Sequence, residues 1–172
     1  MPADPANNEQ ALIDFTCALV RLESVLGAER NVAEHVSREM RRLLFDHVEI
    51  DATGNAVGIV RGLQNGATIL FDAHMDTVDV VPADAWTREP FGGEVADGII
   101  WGRGSSDMKG ALAAMVYAAA GLERANLAGS VIVSASVGEE SVEGAALRAV
   151  MERHEPDFVV IGEASGLNLV RA

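Results

Sequence analysis

The stretch TILFDAHMDTV, Thr68 to Val78, runs from almost unbroken apolar sequence straight into a histidine flanked by acids. Short runs that are nearly continuously apolar suit a strand covered on both faces in a parallel sheet. The pattern recurs at Val131 to Val137 and at Phe158 to Ile161, and each run is followed at once by acidic residues, Glu139 with Glu140 and then Glu163. In open α/β sheets the carboxyl ends of strands form the ligand-binding edge, so these side chains can converge although they lie far apart in sequence.

Around these runs, Ala11 to Val25 and Val32 to Leu44 carry apolar residues at helical spacing, which predicts two amphipathic helices over a sheet. Val48 to Ile50 and Ala56 to Val60 flank a turn at Gly54 and Asn55, and Glu94 to Trp101 is divided by Asp97-Gly98, a strong two-residue hairpin signal. Met108 to Arg124 is Ala-rich and reads as a buried crossover helix. Val142 to His154 reads as another, stopped before Pro156. Strands alternating with helices predict an α/β fold, a three-layer αβα arrangement around a mixed, mostly parallel sheet.

At 172 residues and 49% hydrophobic, the chain suits one domain with a sizeable core. Its net charge of −13 argues against nucleic-acid binding, which needs a basic patch. Cys17 is the sole cysteine, which excludes an internal disulfide and a multi-thiolate zinc site and points to a reducing compartment. With no secretory pattern over Met1 to Gln10 and no apolar stretch of ~20 residues, the expectation is a cytoplasmic protein without a membrane span.

The chemistry lies in His74, Asp76, Asp107, Glu139, Glu140 and Glu163. Imidazole and carboxylate donors suit zinc, and equally cobalt or manganese, and one carboxylate can bridge two ions. Asp107, just before the Ala-rich helix, is the candidate bridge. Two ions ~3.5–4 Å apart make water acidic enough to attack a carbonyl at neutral pH. Glu139 and Glu140, if extended, point in opposite directions, so one can take the water's proton while the other binds metal. Asp76 is spaced to accept the second imidazole N–H of His74. Gly102, Gly104 and Lys109-Gly110 match no phosphate-loop order, and packing is the reading for Trp86 and Trp101. His35, His47 and His154 are read as surface or capping residues.

The strings FDAHMDTV, GRGSSDMKG, VGEES and IGEAS, in that order, resemble the motifs of the co-catalytic zinc peptidases that include acetylornithine deacetylase, succinyl-diaminopimelate desuccinylase, aminoacylase and bacterial glutamate carboxypeptidase. The resemblance implies a zinc-exopeptidase-like fold and two zinc ions. His74 and Glu163 would hold one ion and Glu140 the other, with Asp107 bridging, Glu139 as general base and Asp76 orienting His74. It also implies a cis peptide after Asp107 and small N-acyl amino acid or peptide substrates. Family members continue into a lid and dimerisation domain and then a return segment carrying a further histidine ligand. The expectation is therefore that residues 1–172 are the amino-terminal part of the catalytic domain, binding one ion better than two, turning over little alone, and dimerising only where the lid is present. The alternative is a noncatalytic metal-binding or partner-binding half-domain.

Overall fold

The computed structural model describes residues 9–142 and 144–166. Two helices, α1 (Glu9–Arg21) and α2 (Arg30–Arg42), lead into β1 (His47–Ile50), β2 (Ala56–Arg61) and the long β3 (Gln64–His74). A small hairpin of β4 (Glu94–Ala96) and β5 (Ile99–Trp101) precedes α3 (Gly110–Ala120). Then follow β6 (Ala128–Ser136), α4 (Glu139–Val142), α5 (Ala145–His154) and β7 (Phe158–Ile161).

The five-stranded sheet has the order β1-β2-β6-β3-β7. β3 pairs in parallel with β6 on one side and β7 on the other, whereas β2 runs antiparallel to both β1 and β6. Only β2 therefore opposes the others, which is the mixed, mostly parallel sheet expected. Side-chain alternation then builds two cores. Val131, Val133 and Ala135 of β6 face α1, α2 and α3, packing with Leu19, Val36, Leu112 and Val116. Ile132 faces the opposite side, where Leu147 and Val150 of α5 meet Leu70 and Val57. Helices on both faces complete three layers.

Local chemistry explains where elements stop. Asp97 and Gly98 both take positive φ, 55° and 77°, the I′ geometry that matches strand twist in the β4–β5 hairpin. The turn from β1 to β2 is built by side chains. Asp51 Oδ1 accepts from the N–H groups of Thr53, Gly54 and Asn55 at 2.8–2.9 Å, and its Oδ2 accepts from Asn55 Nδ2 at 2.9 Å. Asn55, fully buried, also donates to the Ala146 carbonyl at 3.0 Å and accepts from the Val137 N–H at 3.1 Å, tying β2 to β6 and α5.

Two sequence expectations are corrected. The helix expected over Val142 to His154 starts only at Ala145, as α5, after Gly144 at φ +64°, and Val142 instead closes the short α4; Glu143 lies outside the described residues. The crossover helix starts at Gly110 rather than Met108, because Asp107 and Met108 leave helical dihedrals (φ −126° and −137°) in an irregular turn over Ser105–Lys109. The Asp107–Met108 peptide is cis.

One acid sits inside the sheet. Asp72, 4% exposed, takes a hydrogen bond from Ser136 Oγ on Oδ2 at 3.0 Å, while its Oδ1 has no partner. Burial pushes its pKa from 3.8 up to about 6, against the pull of the serines and of His74. Between these values the folded metal-free chain holds a proton that the unfolded chain has released, so this group's contribution to stability is lost as pH rises through the window. At ~1.4 kcal/mol per pH unit the loss is on the order of 3 kcal/mol. Asp72→Asn removes it. Urea unfolding of the metal-free proteins should therefore show the variant gaining on wild type by ~2–3 kcal/mol from pH 4 to pH 7, and a pH-independent difference contradicts the assignment. Asn55→Ala, which strands the Val137 N–H and the Ala146 carbonyl, should cost about 2–4 kcal/mol by the same method, whereas a cost below ~0.5 kcal/mol contradicts the staple.

Candidate metal centre

The ladder register levels the strand ends. His74 of β3 stands opposite Ser136 of β6, and Asp72 stands opposite Ile161 of β7. Three residues beyond Ser136 the chain reaches Glu139, and two beyond Ile161 it reaches Glu163. The sheet thereby brings together residues from positions 74, 139, 140 and 163, and the turn before α3 adds Asp107. Ligand atoms of His74, Glu139 and Glu163 lie within 4.8 Å of one another, as do those of His74, Asp107 and Glu140. Among the described residues these are the groups able to hold a metal ion, and both share the one imidazole.

His74 is 2% exposed, and its Nδ1 lies 2.9 Å from the main-chain carbonyl of Asp76. A carbonyl can only accept, so Nδ1 carries hydrogen and Nε2 faces the acids. Nε2 is 3.1 Å from Asp107 Oδ1 and 4.0 Å from Glu139 Oε2. Burial works against a charged ring, but Asp76 and Asp107 outweigh it and raise the His74 pKa. The gap between the His74 imidazole and the Asp107 carboxylate is thus one that favours positive charge.

Asp76 is placed differently from the sequence expectation. Its carboxylate Oδ1 is 3.6 Å from the ring nitrogen, outside hydrogen-bond distance, and the main-chain oxygen serves the imidazole instead. The carboxylate accepts the N–H groups of Glu139 and Glu140, each at 3.0 Å. Those two glutamates are not extended, as the opposite-pointing argument required, but open α4. Gly138 at φ +69° turns the chain out of β6, and its carbonyl then accepts from Ser141 and Val142. Helical neighbours ~100° apart still present two carboxylates to one cleft.

The donor set fits a divalent ion of the zinc, cobalt or manganese kind: one neutral-capable imidazole, four carboxylates and no thiol, Cys17 being buried in α1. The electrostatics agree. Burial raises the pKa of Glu139, with the charges of Glu163, Asp76 and Asp107 adding to it, and burial with Asp107 does the same to Glu140. These acids repel one another until a cation joins them.

Three supporting residues escaped sequence reasoning. Asp72 lies beneath His74, and its signal was an acid inside an apolar strand. Lys109 is fully buried, its Nζ donating to the Leu22 carbonyl at 2.7 Å just past α1, and burial lowers its pKa to about 8. Its signal was a lone charge leading into an apolar helix. Ser24 gave no signal; its hydroxyl donates to the Met75 carbonyl at 2.8 Å, and its own carbonyl accepts from Thr77 N–H at 3.0 Å. Together they brace the 74–77 and 105–109 turns against the end of α1. Trp86 and Trp101 stack under the guanidinium groups of Arg103 and Arg88, at 5.1 and 4.7 Å.

A cavity of about 360 Å³ opens beside Asp76 and Glu140, walled by Val25, Leu26, Val78 and Ser141. The larger groove, about 790 Å³ between α2 and α5, is lined by none of the six residues. Among the described residues, no helix is long and apolar enough to cross a membrane.

The sequence profile of peptidase family M20/M25/M40 matches residues 70–171. The succinyl-diaminopimelate desuccinylase of Cereibacter sphaeroides (strain KD131) is 37% identical over 147 residues, which cover 84% of this chain and 37% of that protein. The LysW-lysine hydrolase of Deinococcus radiodurans is 36% identical over 165 residues, 94% of this chain and 42% of that protein. Among solved structures, an M20 family metallo-carboxypeptidase from Sulfolobus solfataricus superimposes with a TM-score of 0.74 at 24% identity, over 90% of this chain and 37% of that one. The chain spans about two-fifths of the length of the curated relatives it matches. The profile match alone extends over more than half of the sequence and takes in every acid of the cluster, so this chain belongs to peptidase family M20/M25/M40.

Proposed function

We propose that this chain supplies the amino-terminal part of the catalytic domain of a metal-dependent hydrolase that cleaves the amide bonds of N-acyl amino acids or small peptides. The observation that carries the reading is the convergence of one imidazole and three carboxylates at the carboxyl ends of β3, β6 and β7 with a fourth, Asp107, from the turn before α3. His74 and Glu163 would hold one zinc ion, Glu140 the second, and Asp107 would bridge them; cobalt or manganese can substitute. When bound, the ions supply Lewis acidity and a water of lowered pKa. Glu139 takes the proton of the attacking water, and burial, which raises its pKa, makes it a stronger base than an exposed glutamate. Proton in hand, it stands beside the cleft to protonate the departing amine.

The substrate class rests on the name of the desuccinylase relative, together with a cavity large enough for a small acyl or amino-acid group next to Glu140. A cytoplasmic setting agrees with the single buried, unpaired cysteine. Whether two such chains pair depends on lid sequence outside these residues. One observation favours the noncatalytic reading: a single imidazole serves both ligand groups, so the described residues complete one ion shell better than two.

Calorimetric zinc titration of the 172-residue chain should accordingly show one tight site and a second at least ~10-fold weaker, with little hydrolysis of N-acetyl or N-succinyl amino acids. Robust turnover by this chain alone contradicts the division of the centre. In cobalt-loaded protein, Glu163→Gln should lose metal absorption bands, while Glu139→Gln should keep them and, in any active longer form, lose turnover by a factor of ~100 or more. Equal metal loss in both variants overturns the assignment of base and ligand.

A further inference from the structure

We propose that Asp76 is a positioning residue that sets the Glu139–Glu140 pair through their main-chain N–H groups, rather than through the His74 ring. The inference rests on the metal-centre reading and deepens it. The Asp76 carboxylate is 1% exposed, and each of its oxygens takes one N–H: Oδ1 from Glu139 and Oδ2 from Glu140, both at 3.0 Å. The imidazole N–H is already satisfied by the Asp76 carbonyl at 2.9 Å, which leaves the carboxylate for α4.

The reason α4 needs this is its size. Four residues cannot hold a helical turn by themselves, because nucleation costs more than one or two hydrogen bonds return. The internal bonds of the turn run from Ser141 and Val142 to the Gly138 carbonyl, so the N–H groups of Glu139 and Glu140 have no acceptor within it. A charged, two-oxygen acceptor from the end of β3 satisfies both at once, and charge-assisted bonds of this kind are stronger than neutral ones. One residue therefore indexes the whole centre: its carbonyl fixes the rotation of His74, and its carboxylate fixes where the side chains of Glu139 and Glu140 emerge. An asparagine at position 76 keeps the carbonyl but turns one acceptor into a donor, which faces an N–H and opens the pair.

Two measurements test this. In metal-free, isotopically labelled wild-type chain, through-hydrogen-bond NMR couplings should connect the amide nitrogens of Glu139 and Glu140 to the Asp76 carboxyl carbon. Cobalt affinity then gives the functional half. Asp76→Asn should weaken binding by ~10-fold or more, as loss of a residue that orients ligands does, yet by less than 2-fold in a background of Glu139→Gln with Glu140→Gln. Missing couplings in a wild type that binds cobalt overturn the proposal alone. The same loss in both backgrounds does so too, since it places the action of Asp76 on the ring. A wild type that binds no cobalt overturns the metal-centre reading and the proposal with it. The coupling measurement needs no variant, so it decides even where Asp76→Asn fails to fold.

Discussion

Everything in the site depends on the register of two parallel ladders. Neighbouring strands lie ~4.8 Å apart, so three strand ends held level place the residues that follow them within metal-ligating distance. β3 is the shared partner, and its pairings with β6 and β7 put His74 across from Ser136 and Asp72 across from Ile161. A slip of one residue in either ladder would send an acid to the opposite face of the sheet and dismantle the cluster. That register is held by apolar packing on both faces, Val131, Val133 and Ala135 towards α1, α2 and α3, and Ile132 towards α5.

The cluster so formed opposes the fold that makes it. Burial raises the pKa of Glu139 and Glu140 and neighbouring acids add to it, while Asp76 and Asp107 raise that of His74 against burial, so negative charge is held together here in a partly desolvated place. The structure offsets this with braces placed behind the cleft. Lys109 docks the Asp107 turn on the end of α1, Ser24 ties Met75 and Thr77 to the same segment, and Asp76 spans β3 and α4. Each brace uses hydrogen bonds to main-chain atoms, so the positions of the ligands are set by backbone while their charged ends remain free for a cation.

Much of this was legible in the sequence because the relevant signals are local. Nearly continuous apolar runs marked the parallel strands, Asp97-Gly98 marked the hairpin, and the residue types after each run marked metal chemistry. What escaped depends on contacts between distant segments. Whether Glu139 and Glu140 are extended or helical is decided by Gly138 and by an acceptor 63 residues away, Asp76. The same distance problem hid the division of Asp76 between carbonyl and carboxylate. Burial of Asp72 and Lys109 was half legible, since a charge inside an apolar run has to be buried or break the run. Its partner, a carbonyl 87 residues away in the case of Lys109, was not.

In the proposed centre one imidazole and a set of carboxylates, from the ends of three parallel strands and the turn before α3, hold the metal. X-ray absorption at the zinc edge of the zinc-loaded chain reads that ligand set directly. Zinc held by these residues gives a shell of nitrogen and oxygen at ~2.0–2.2 Å with the outer-shell scattering of a single histidine. Sulfur scattering at ~2.3 Å, or the signature of two or more imidazoles per zinc, would contradict it.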